Sequence, residues 1–427
     1  MAHRLKKTPL EIIKKSIRGK KLKREDFINF FRGILDNKVS DVELTAFIMR
    51  QYYQPFSIEE IADMTVAMVE VGKSADFGRN TVDKHSIGGV PGNKVSLIIV
   101  PIIASTDLKI PKTSSRSITT IGTADTMEVL APVNLKLEEA IEVVNKANGC
   151  IVWGGGLDIV PVDGVFIERV EHVLEINPVS QMMASILGKK LAMGVRYLVL
   201  DIPQGRGTKV ETIEKAMALS KKFNDLGSRL GIRIESAITY GDQPVGHAVG
   251  PALEAWEALL TLEGKIMSTS LLEKATGLAG MLLEMTGKAV IGNGSSVAKD
   301  ILFKGKALKK MKKIIELQGG DPKVSSKDIQ FGEYHEIITS PIDGFIVQID
   351  NKAIMEVVKA AGAPEDKKAG VLIHKKGGRY VKRGEPLMTI YSSNEGRLDR
   401  AVTLARTLHP IVIEGMIRKR IRIATVL

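Results

Sequence analysis

Thr81-Val82-Asp83-Lys84-His85-Ser86-Ile87-Gly88-Gly89-Val90-Pro91-Gly92-Asn93 is where the pattern of the chain changes. A short strand from Thr81 to Asp83 gives way to a glycine-rich turn, and an apolar helix begins at about Lys94. Strand, glycine loop and helix in that order open an α/β unit. Glycines there let backbone N–H groups approach an anion, and the following helix could add its N-terminus.

Upstream, the chain reads as helices. Thr8-Pro9-Leu10-Glu11 is a capping box with proline at the first helical position, and Ser40-Asp41-Val42-Glu43 and Ser57-Ile58-Glu59-Glu60 repeat the spacing. Gly19 and Gly72 are placed to end helices. Downstream, Leu108 to Ile110 and Cys150 to Trp153 read as strands, with a helix from about Leu137 to Ala147 between them. Asn177-Pro178 opens a helix ending at Gly194. Strands at Arg196 to Ile202 and Arg233 to Tyr240 flank a helix from Glu211 to Leu230, and long helices run from Pro251 to about Gln318. Gly319-Gly320-Asp321-Pro322 is a boundary, beyond which glycine-punctuated short strands indicate an α+β domain over 321–427. The expected fold is therefore α/β: a small helical domain, a larger α/β domain with a mixed sheet, and a C-terminal α+β domain.

Composition narrows the class. With 427 residues, 44% hydrophobic and 26% charged, the chain suits two or three globular domains. Its one cysteine, Cys150, precludes an internal disulfide and sits in an apolar run, where an inert buried thiol is expected. No segment reaches the ~18 apolar residues of a membrane helix, the longest candidate being Val95 to Ala104. No signal peptide is evident, so a cytoplasmic location is expected. The net charge of +12 suits anionic ligands. The basic residues are dispersed, as in Lys306 to Lys313, without interleaved aromatics, which more often marks a solvated face; charge alone does not decide, and no nucleic-acid partner is expected.

The glycine loop finds a companion in Thr113-Ser114-Ser115-Arg116-Ser117-Ile118-Thr119-Thr120-Ile121-Gly122-Thr123-Ala124-Asp125. Both stretches follow expected strands, where α/β sheets place ligands. Lys84 and Arg116 bring positive charge and the Ser and Thr hydroxyls bring hydrogen bonds, an inventory that suits a phosphate plus a sugar. Neither a P-loop nor a dinucleotide fingerprint fits the spacing. Ser185 and Lys189, four apart, share a helix face that is otherwise apolar. Asn177 before Pro178 is either a helix N-cap or a functional amide. The histidines show no metal-ligand spacing, and no metal or other cofactor is expected.

Lys84-His85-Ser86-Ile87-Gly88-Gly89-Val90 resembles the signature of the thymidine and pyrimidine nucleoside phosphorylase family, and Asp242 to Glu254 is similar to a second block of that family. Ser114 to Thr120, with Gly122 to Val129, resembles the archaeal AMP phosphorylase branch. The resemblance implies a helical domain of residues 1–78 completed by about 162–195, and an α/β domain of 79–161 and 196–320, with substrates in the cleft between them. It implies that Lys84, Ser86, Ser96, Ser114 and Thr123 hold inorganic phosphate. Gly89, Ser115, Arg116, Ser117, Ile118, Thr119, Thr120, Thr123, Ser185 and Lys209 would line the nucleotide site, and Lys189 matches a base-contacting lysine of the pyrimidine branch. Three departures stand out. The branch usually carries a further N-terminal domain, the stretch before Gly122 is one residue shorter here, and Asn177 stands where the branch has an aspartate proton donor.

The implied activity is phosphorolysis: AMP plus phosphate gives adenine plus ribose 1,5-bisphosphate. Lys84 would orient phosphate, and Asn177 or His85 would hydrogen-bond the leaving base. Arg116 and Lys209 are expected to form a second anion site favouring nucleotides over nucleosides. Rival expectations are a pyrimidine nucleoside phosphorylase, a phosphoribosyltransferase and a non-catalytic nucleotide-binding member of the family. A homodimer or larger homo-oligomer is expected.

Overall fold

The computed structural model describes residues 7–116 and 120–417. Its first four helices are α1 (Pro9–Ile17), α2 (Arg24–Leu35), α3 (Asp41–Tyr53) and α4 (Ile58–Glu70). The capping boxes at Thr8, Ser40 and Ser57 are all formed, each hydroxyl accepting from the backbone N–H three residues on. The helices bury an aromatic cluster of Phe27, Phe30, Phe31, Phe47 and Phe56, with Phe30 and Phe47 centroids 4.6 Å apart.

The chain then runs β1 (Val82–Ser86), α5 (Ser96–Ala104), β2 (Ile110–Ser114), α6 (Thr123–Met127), α7 (Leu137–Ala147) and β3 (Gly149–Trp153). All nine residues of α5 are buried, because the helix is covered on every side, which explains its uniformly apolar sequence. Next come α8 (Pro161–Phe166), a π-helical stretch at Ile167–Glu171, α9 (His172–Leu174) and α10 (Val179–Ala192). This segment returns to the first four helices. The Phe166 ring stacks on Phe47, and Ser180 Oγ accepts from the Phe56 N–H at 3.0 Å.

β4 (Tyr197–Gln204), α11 (Ile213–Leu230) and β5 (Arg233–Tyr240) complete the sheet. β1–β4, β4–β5 and β2–β3 are all parallel, and a Thr81–Lys109 bridge joins the two groups. The strands therefore run the same way, with carboxyl ends at Ser86, Ser114 and Gln204, β4 continuing past the Asp201 that pairs with Ser86. The mixed sheet expected of this domain is corrected: its strand pairs among the described residues are all parallel, and the antiparallel β6 (Ala248–Val249) belongs to the sheet of the C-terminal unit. Helices α12 (Pro251–Leu262), α13 (Thr269–Met285), α14 (Gly294–Phe303) and α15 (Lys306–Leu317) all pack against α5.

The C-terminal unit consists of β7 (Tyr334–Thr339), β8 (Gly344–Ile349), α16 (Asn351–Ala361), β9 (Gly370–Ile373), β10 (Tyr380–Val381), β11 (Pro386–Ser392), α17 (Glu395–Leu408) and β12 (Ile411–Glu414). Its hydrophobic cluster includes Ile121 from the Ser/Thr-rich loop, so the unit packs directly against a segment of interest. Among the described residues, no helix is long and apolar enough to cross a membrane.

Candidate active site

A cavity opens at the carboxyl ends of β1 and β2, walled on the far side by α10 and the π-helical stretch. Gly88 and Gly89 turn the loop with φ of +86° and +87°. At Gly89 the constraint is also steric, since a Cβ would lie 2.6 Å from the backbone nitrogen of Lys209. Ser86 Oγ accepts from the Gly88 N–H at 3.3 Å and from Asn93 Nδ2 at 3.0 Å, which fixes the loop before α5.

Beneath the loop lies a layer of buried ions. Asp201, inside β4, meets Lys84 Nζ at 3.5 Å and Lys274 Nζ at 3.2 Å, and accepts from Thr239 Oγ1 at 2.6 Å. Burial alone would raise the Asp201 carboxyl, but the two ammonium groups outweigh it and hold it at about 2. Asp83 accepts from Lys190 Nζ at 2.5 Å, and Lys112 Nζ is 3.8 Å away. Burial pushes the Lys84 amine down to about 8 and Lys112 to about 7, Lys190 adding to the effect on Lys112. Burial and the surrounding Lys190, Lys112 and Lys84 keep His85 well below the usual imidazole range, so it is neutral at pH 7. The layer holds more lysines than carboxylates, an arrangement primed for an added anion.

On the opposite wall, Met182, Ser185, Ile186 and Lys189 recur at helical spacing along α10. Ser185 Oγ donates to Asp163 Oδ2 at 2.8 Å, while Lys189 Nζ donates to the same carboxylate and to Ser185 Oγ. Lys209 reaches the cavity from the loop after β4.

Three descriptions of protein families match successive parts of the chain. The helical bundle domain of a glycosyl transferase family matches residues 10–72, and its a/b domain matches 78–308. A pyrimidine nucleoside phosphorylase C-terminal domain matches 345–412. An AMP phosphorylase of Thermococcus kodakarensis is 49% identical over 96% of this chain and 82% of its own length. The chain belongs to the AMP phosphorylase branch of the thymidine and pyrimidine nucleoside phosphorylase family. The AMP phosphorylase of Methanocaldococcus jannaschii is 48% identical over 98% of this chain and 83% of its own. An anthranilate phosphoribosyltransferase of Thermus thermophilus shares the fold, with a TM-score of 0.59 at 18% identity over 72% of this chain and 99% of that one.

Most residues singled out from the phosphorylase-like sequence meet in this cavity. Lys84, His85, Ser86, Gly89 and Ser96 line it from the glycine loop and α5. Ser114, Ser115, Thr120 and Thr123 line it from the second loop, and Asn177, Ser185, Lys189 and Lys209 complete the set. Ser117, Ile118 and Thr119 lie outside the described residues.

Two expectations are corrected. Arg116 is not among the lining residues: its guanidinium donates to Asp125 Oδ1 at 2.8 Å and Glu128 Oε1 at 2.5 Å and lies over Trp153. Lys367 of the C-terminal unit joins the same carboxylates, so the network braces the loop instead of presenting a charge to a ligand. Asn177 is not an N-cap, because Pro178 occupies that position and caps with no side chain. Its exposed amide faces the cavity.

Sequence reasoning missed Lys112, Lys190, Asn93 and Glu171 on the cavity wall, and Asp201 behind it. A carboxylate inside the apolar run Leu198 to Ile202 was the available signal, since such a group needs a buried partner. Lys190 carries no comparable mark beside Lys189.

Gly89→Ala is the direct test of the loop's close approach to Lys209. Left-handed strain of about 1 kcal/mol or more adds to the 2.6 Å contact. Activity is expected to fall at least about tenfold, and the melting temperature by a few degrees, because the strain and the contact both destabilise the folded state. Full activity in the variant would refute the claim that this approach shapes the site.

Proposed function

We infer that this protein phosphorolyses nucleoside 5′-monophosphates, converting AMP and phosphate to adenine and ribose 1,5-bisphosphate. The observation that carries the reading is one cavity with cationic groups at separate places, Lys84 under the glycine loop and Lys209 after β4. It is joined by near-full-length similarity to proteins named AMP phosphorylases. In this reading Lys84, with Ser86, Ser96, Ser114 and Thr123, orients inorganic phosphate toward the anomeric carbon, which is catalysis by proximity. Gly89, Ser115, Thr120, Thr123, Ser185 and Lys209 take the nucleotide. Asn177 hydrogen-bonds the base, and neutral His85 orients the loop. Lys189 is tied to Asp163 and positions the wall. The reading assigns no resident cofactor, phosphate being a co-substrate. It places the protein in the cytoplasm as a homodimer or larger homo-oligomer.

The test is base release from AMP, uridine and thymidine with and without phosphate. AMP should be preferred and phosphate required. A charge-assisted contact to the 5′-phosphate contributes about 1.5–3 kcal/mol, reduced here by the exposure of Lys209. Lys209→Ala should therefore lower kcat/KM for AMP by about tenfold and leave uridine unaffected. Comparable kcat/KM for AMP and uridine, unchanged in Lys209→Ala, would refute the nucleotide reading and leave phosphorolysis standing.

A further inference from the structure

A purine leaving a ribose carries developing negative charge, and the Asn177 amide and neutral His85 offer it hydrogen bonds but no acidic proton. One acidic side chain on the cavity wall has no part in the mechanism above. Glu171 closes the π-helical stretch Ile167–Glu171, and both ends of that stretch line the cavity. π-helical turns interrupt α-helices often at functional sites. Glu171 Oε1 is enclosed yet has no hydrogen-bond partner, whereas buried polar atoms normally have one. Ile167, Met182 and Ile186 add apolar surface to the same cavity.

The charged groups facing Glu171 are Asp163 of α8, Lys189 of α10 and Lys209 of the loop after β4. Burial and Asp163 favour the neutral acid, the two lysines oppose it, and the carboxyl titrates at about 7. Lys189 is already paired with Asp163. A nucleotide phosphate on Lys209 would offset the other opposing charge, so substrate binding itself favours the protonated form.

We propose that Glu171 is the general acid of this enzyme, giving its proton to a ring nitrogen of the purine as the glycosidic bond breaks. The proposal rests on the phosphorolysis reading. A phosphate oxygen supplies the electron pair that forms the new bond to C1′. The pair of the C1′–N9 bond passes to the base, which the Glu171 proton neutralises. The carboxylate regains a proton from water, and the phosphate releases one to water, so the cycle balances. Asn177 then holds the base in place.

The test compares AMP with an N7-methylated purine nucleotide, whose base leaves without needing a proton. With phosphate saturating, which keeps Lys84 protonated, wild-type kcat/KM for AMP should fall as pH rises through about 7, the value of Glu171 in the free enzyme, while kcat/KM for the methylated nucleotide should not. Glu171→Gln should slow AMP turnover roughly 100-fold and abolish that alkaline limb. It should leave the phosphate KM unchanged and turn over the methylated nucleotide within about threefold of wild type. An equal loss on both nucleotides, or survival of the limb in the variant, overturns the proposal and leaves Glu171 a wall residue. Should the variant not fold, the two wild-type pH profiles decide alone, identical alkaline limbs counting against Glu171. Absence of phosphate-dependent base release by the wild type is a separate result, which defeats the phosphorolysis reading itself.

Discussion

Lys84→Ala is expected to lower kcat/KM for phosphate by about 10²–10³-fold, the range for removing one preorganised group that stabilises charge in a dry site. The lysine is 2% exposed at the floor of the cavity, so its charge acts with little screening. Its substitution should not unfold the protein. Asp201, which Lys84 meets at 3.5 Å, keeps Lys274 at 3.2 Å and the Thr239 hydroxyl at 2.6 Å. The pH dependence follows from the amine, which burial holds at about 8. In the wild type the ammonium is present below that value and lost above it, so kcat/KM for phosphate should fall as pH rises past about 8. The variant, already lacking the charge, should show no such fall. Initial rates at varied phosphate and pH, with circular dichroism to confirm folding, check both statements. A variant that saturates normally at low phosphate would show that another group orients the nucleophile.

The lysine and the two glycines could be found in the sequence because phosphate recognition uses local chemistry: a strand, a tight turn and a helix start within one short stretch. The capping boxes at Thr8, Ser40 and Ser57 were legible for the same reason, each being a contact between residues three apart. What escaped was long-range. Lys190 reads as one of two adjacent surface lysines, and only the approach of β1 puts Asp83 against it at 2.5 Å. Arg116 reads as a free cation because Asp125 and Glu128 lie beyond the turn that returns them to it. Glu171 is hidden more deeply, since only the approach of this stretch to the glycine loop and α10 makes it part of a cavity wall.

Lys94→Met is expected to lower the unfolding free energy by about 3–5 kcal/mol, the usual loss when one partner of a buried ion pair is removed. Lys94 follows the glycine loop and is fully enclosed, as is its partner Glu257 of α12, with Nζ 2.5 Å from Oε2. The same ammonium donates to the carbonyls of Val245 at 3.0 Å and Ala248 at 2.8 Å. It therefore joins the glycine loop, the segment before α12 and α12 itself. Methionine fills similar volume but leaves the carboxylate with only the backbone donors of His247 and Ala248.

The loss should depend on pH. Burial raises the Glu257 carboxyl, but Lys94 outweighs it and holds the group below its ordinary value of 4.5. A carboxyl depressed by folding contributes stability above its unfolded value, and that contribution disappears as pH falls through the folded one. In the variant, burial acts without its counterweight, so the charged carboxylate is a cost at neutral pH that vanishes once it is protonated. The gap between wild type and variant should thus be widest near pH 7 and narrow as pH drops through about 4.5. Lys94→Met combined with Glu257→Gln should recover much of the stability, because no unpaired charge then remains. Denaturant unfolding across this pH range measures all three proteins, and a gap of equal size at every pH would show that packing, not charge, is what Lys94 supplies.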